Sequence, residues 1–156
     1  MAAVGNDPRG DTRRTMIATA LIGIGLMAAV DEIVFHQLLG WHHFYDLSTP
    51  AIGLLTDGLL HAFELLVIVA GFFMFAALRA QRALVPTAAW AGLFLGAGGF
   101  QLLDGIGNHK ILRLHQIRYG VEILPYDLAW NLAALVMIAL GLLLGRRAAR
   151  RRPRPA

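Results

Sequence analysis

Long apolar runs separated by short polar stretches set the layout of the chain. Four segments, at about 16–39, 52–78, 86–109 and 127–145, hold few charges and match the roughly 20 residues a helix needs to cross a bilayer core. The second has an unbroken apolar stretch from Leu65 to Leu78, and the fourth runs from Leu128 to Leu144 with Asn131 as its one strongly polar position. Pro50 precedes the second segment and Pro86 opens the third, where a helix tolerates a missing N–H. Gly92 with Gly96, and Gly141 with Gly145, are small-xxx-small pairs that permit close helix contact. The pattern predicts an all-α integral membrane protein of four transmembrane helices.

Composition agrees with that layout. The 156 residues are 57% hydrophobic and only 15% charged, against about 25% charged in soluble domains. Six of the fourteen basic residues fall in 146–154. An arginine run directly after an apolar helix reads as a cytoplasmic anchor and not as a nucleic-acid surface. Arg9, Arg13 and Arg14 precede the first span, and Arg79 and Arg82 separate the second from the third. All of these basic sites share one side, so both termini are expected in the cytoplasm. The first apolar run is too long for a signal-peptide core and should remain as a span. The expected organisation is a polar N-terminus (1–15), a membrane domain (16–145) and an Arg-rich tail (146–156). The chain has no cysteine, which excludes disulfides, thiolate metal sites and iron–sulfur clusters.

One polar pattern occurs twice. Asp31 to His43 reads DEIVFHQLLGWHH, and Asp104 to Gln116 reads DGIGNHKILRLHQ. Both fit D-x4-H-x2-L-x2-H, placing Asp31 on Asp104, His36 on His109, Leu39 on Leu112 and His42 on His115. DGLLH, Asp57 to His61, is echoed more faintly by DLAWN, Asp127 to Asn131. Two tandem hairpins, about 16–78 and 86–145, would form a parallel repeat about the membrane normal. That arrangement brings all six histidines to the non-cytoplasmic end, together with Asp31, Glu32, Asp57, Glu64, Asp104 and Asp127.

The stretches VDEIVFHQLLGWHH, TDGLLHAFE, LLDGIGNHKILRLHQIR and PYDLAWN resemble a bacterial family of membrane proteins catalogued as domain of unknown function 2243. The resemblance covers about Leu21 to Leu144. It implies a multi-pass protein of four helices in the bacterial inner membrane, without an established activity. That family often pairs histidines in the second repeat, where this chain has His109-Lys110 and His115-Gln116. The second copy is therefore expected to be weaker, with the site leaning on spans one and two.

An ionisable group within a membrane segment costs at least about 2.5 kcal/mol, so Asp, Glu and His repeated at one depth call for a role. Asp57, His61 and Glu64 follow i, i+4, i+7, which makes one stripe on a helix. Glu32 and His36 also share a face. Asp31 and His36 are five apart, about 140° round an ideal helix, and meet only if the helix unwinds. Gly105 and Gly107 would ease such unwinding in the second copy.

The expected metal site comprises His36, His61 and His109, with Asp31, Asp57, Glu64 and Asp104 as ligands or orienting groups, and His42 and His115 in the adjoining loops. Imidazole and carboxylate donors suit zinc, copper(II) or non-haem iron; haem between facing histidines ranks behind these. His61 and Glu64 reverse the Glu-x-x-His order of di-iron bundles. The lack of cysteine, with Met27 the one methionine nearby, argues against a copper(I) transfer site.

Trp41, Phe44 and Tyr45 read as an interfacial belt, His43 as a spectator, and Arg113 and Arg118 as partners of Glu122 ahead of lipid phosphate. Three functions fit: metal binding in metal handling or metalloenzyme assembly, a membrane-embedded metal-dependent enzyme, or a structural accessory subunit held by interhelical polar pairs. The expected partners are the bilayer and a larger membrane complex or a second copy, with no nucleic acid. Four short spans without a central broken helix offer little for alternating access.

Overall fold

The computed structural model describes residues 10–150, and the described residues are all helix and loop. Arg9, Arg151, Arg152 and Arg154 lie outside them. Helix α1 (Thr12–Val30) begins before its apolar run, because the Asp11 carboxylate accepts from Arg14 N at 2.8 Å and caps the first turn. It continues directly into a π-helical segment, π1 (Asp31–Leu38). Helix α2 (Pro50–Ala80) is capped by Thr49, and α3 (Pro86–Leu102) runs into a second π-helical segment, π2 (Leu103–Leu112). Helix α4 (Leu124–Arg150) reaches past 145 into the basic run.

Among the described residues, three stretches are long and apolar enough to cross a membrane: Thr12–Leu38, Pro50–Ala80 and Leu124–Arg150. The fourth expected span does not reach that standard. Helix α3 carries Gly92, Gly96, Gly98, Gly99 and Gln101 in place of bulky apolar residues, because much of its surface meets other helices instead of lipid. Helices α1 and α3 form the central pair, α2 packs on α1, and α4 packs on α3.

Glycine makes the central approach possible. A Cβ on Gly23 would strike the Leu93 carbonyl, and one on Gly96 would strike the Ala20 carbonyl. Gly92 meets Met16 and Thr19 in the same way. In the second glycine pair, Gly141 abuts Leu95, while Gly145 has only ordinary contacts. Backbones this close gain dispersion contacts that larger side chains would prevent.

Polarity is inverted relative to a water-soluble fold. Leu66, Phe73, Leu65 and Leu54 on α2 are 60–70% exposed, whereas Asp31, Glu32, Asp57 and Asp104 are at most 2% exposed. Such an apolar exterior is stable only against lipid. The start of α1 meets the α2–α3 turn, where Asp11 N donates to the Ala83 carbonyl at 2.7 Å. The buried carboxylates and histidines gather at the opposite end.

Candidate metal centre

The π-helical turns position the first residues of the site. Hydrogen bonds from i to i+5 widen the turn, so residues five apart share a face. His36 Nε2 thereby comes within 3.7 Å of Asp31 Oδ2, and His109 Nε2 within 3.1 Å of Asp104 Oδ2. Gln37 Nε2 donates to Glu32 Oε1, again five residues away, at 2.8 Å. The unwinding expected at Asp31 takes this form, and glycine is not its cause there, since DEIVFHQL contains none.

The loops supply the next two imidazoles. His42 Nδ1 donates to the Ile117 carbonyl at 2.9 Å, and His115 Nδ1 donates to the Phe44 carbonyl at 2.8 Å. A carbonyl can only accept, so each ring carries a proton on Nδ1 and turns Nε2 towards the cluster. Both Nε2 atoms are buried without a hydrogen-bond partner, as are both ring nitrogens of His109 and Nε2 of His36. The His42 and His115 rings stack at 4.6 Å between centroids, with His36 4.4 Å from His42 and His109 4.7 Å from His115. Donor atoms of His42, His109 and His115 all lie within 4.8 Å of one another. Burial, with His36, His115 and His109 around it, holds the His42 imidazole far below its ordinary pKa.

Carboxylates flank this group. Asp104 Oδ1 accepts from Asn108 and lies 3.5 Å from His115 Nε2. Glu32, His36 and Asp57 form a neighbouring set of mutually close donors, and Asp31, His36 and His42 join the two sets. His36 Nδ1 is 2.7 Å from Glu32 Oε2 and 3.1 Å from Asp57 Oδ1. Asp57 is the most connected carboxylate: it also accepts from Phe44 N at 2.7 Å and from His43 Nδ1 at 2.6 Å.

Placement of the expected residues is therefore uneven. Asp31, His36, His42, Asp57, Asp104, His109 and His115 converge. His61 and Glu64 pair with each other at 2.6 Å at the margin, with His61 half-buried and its Nε2 3.7 Å from Glu32 Oε1. Glu32 belongs to the convergent group, and its i, i+4 spacing to His36 was the signal for it. His43 is no spectator, since it binds Asp57. The carboxylates come mostly from the first half of the chain, while two of the three imidazoles in the tight group come from the second. Arg118 does not pair with Glu122; it donates to Tyr126 Oη at 2.6 Å and lies over the Trp41 ring at 4.7 Å, a cation–π contact. Lys110 holds Asp127 at 2.6 Å, which takes that carboxylate away from the cluster.

Two cavities adjoin the cluster. One of about 500 Å³ is lined by Trp41, His42, His43, Asp46 and Tyr119. The other, about 690 Å³ and apolar, lies between α1, α2 and α3 and shares Phe44 and Asn108 with the walls of the cluster.

A family described as predicted membrane protein, domain of unknown function 2243, matches residues 18–148. No curated protein and no solved structure shows a significant match to the chain.

Proposed function

The chain belongs to that family of membrane proteins, and on this premise we propose that it binds a transition-metal ion through His42, His109 and His115, in metal handling or in the assembly of a larger metalloenzyme. One observation carries the reading: buried imidazole nitrogens converge without hydrogen-bond partners. A buried polar atom left unpaired costs about 1–3 kcal/mol, and a cation would satisfy several at once. The carbonyls of Ile117 and Phe44 orient the rings, as outer-sphere hydrogen bonds do in metal sites. Three imidazoles with a nearby carboxylate suit zinc, copper(II) or iron(II).

Elemental analysis of the purified protein, with an absorption spectrum, tests this reading. A stoichiometric metal is expected, and colour separates iron or copper from zinc. His42→Ala and His115→Ala should each weaken binding by at least the ~10–100-fold typical of disturbing a metal site's supporting shell, while His61→Ala should retain it. Absence of metal from wild-type protein after reconstitution would leave a structural accessory role.

The apolar cavity beside Phe44 and Asn108 favours a second reading, a metal-dependent enzyme acting on an apolar substrate that enters from the bilayer. On either reading α3 also crosses the membrane, shielded by α1 and α4, as the third of four spans built from two tandem hairpins. The site then faces the periplasm of a bacterial inner membrane, with both termini in the cytoplasm.

A further inference from the structure

We propose that the cluster holds two divalent cations, the second bound by Glu32, His36 and Asp57. This rests on the metal-binding reading above and extends it to a second ion. The donors separate into two sets by position and by kind. His42, His109 and His115 make a nitrogen-rich set, whereas Glu32 and Asp57 with His36 make an oxygen-rich one. His36 stands between them with different edges: Nδ1 faces Glu32 and Asp57, and Nε2 faces Asp31 and the tight imidazole group. Glu32 has no exposure, and its Oε2 has His36 Nδ1 as its neighbour at 2.7 Å.

Charge leads to the same conclusion. Asp31, Glu32, Asp57 and Asp104 are buried together, with Glu64 buried at the margin, and among the described residues they pair with histidines and none with lysine or arginine. Lys110, the one lysine of the sequence, is engaged by Asp127. His42 and His115 each donate from Nδ1 to a main-chain carbonyl, which leaves Nε2 as the edge free for an ion. With the carboxylates ionised and the imidazoles acting as neutral ligands, one divalent ion would leave uncompensated negative charge in a low-dielectric site, a heavy cost. A second divalent ion would offset it. The carboxylate-rich set is the harder of the two and suits iron(II), manganese or zinc better than copper.

Full-length protein in detergent, stripped with chelator and titrated separately with Co(II) and Zn(II), decides the matter. Wild-type protein should saturate at two ions per chain. Glu32→Gln with Asp57→Asn should saturate at one and keep the Co(II) absorption of the imidazole site, which also reports that the variant is folded. Saturation of wild-type protein at a single ion overturns the second site and leaves the first in place. Two ions retained by the double variant also overturn the assignment. No binding by wild-type protein removes both sites together.

Discussion

His42 carries the residue-scale consequences. Its depressed pKa means that the folded protein holds the ring neutral where an unfolded chain, with a pKa near 6.5, would protonate it. The unfolded state therefore gains a proton first as the pH falls, so this contribution to stability is present above about 6.5 and shrinks below it. The melting temperature of metal-free wild-type protein is expected to drop between pH 7 and pH 5, and His42→Phe should flatten that dependence. A metal ligand must also be unprotonated, so on the proposed reading a neutral His42 would bind at pH 7 without losing a proton. At this scale the sequence was most legible for histidines in the repeated pattern, since one spacing named His36, His42, His109 and His115. It was least legible where partners come from distant loops. The pairing of His43 with Asp57 depends on how the loop 39–49 folds back over α2, and no periodicity reports that.

At the scale of elements, two substitutions separate packing from propensity. Gly96→Leu would push α3 off the Ala20 carbonyl of α1; overpacking of this kind costs about 1–3 kcal/mol or more, and a clear loss of thermal stability in detergent is expected. Gly58 lies in α2 with open space around its Cβ position. Gly58→Ala should therefore raise stability by about 0.5–1 kcal/mol with metal stoichiometry unchanged. The apolar runs revealed where the helices lie to within a few residues. They did not reveal the π-helical turns, because i, i+5 pairing of Asp31 with His36 looks like a mismatch on an α-helical wheel. Helix α3 was legible as a helix but is too rich in glycine to stand beside the others as an apolar span, for the same reason that it packs so closely against α1.

For the whole molecule, the testable quantity is orientation. The chain has no cysteine, so a single introduced thiol reports its own side of the membrane. Leu47→Cys, on an exposed loop at the histidine end, should react with a membrane-impermeant maleimide in intact spheroplasts. Gln81→Cys, in the turn at the arginine end, should react only after permeabilisation. The reverse labelling pattern would place the metal centre in the cytoplasm. The expectation rests on the arginine distribution, which acts through the sequence itself and not through the fold.

The main-chain carbonyls that hold His42 and His115 have a mutational consequence. Ring orientation is set by the peptide groups of Ile117 and Phe44, not by what those residues carry as side chains. Substitutions at these two positions act on the imidazoles only by shifting the backbone, Ile117 being itself buried and Phe44 lining the apolar cavity. A change that moved either carbonyl from its place would release a histidine without touching it.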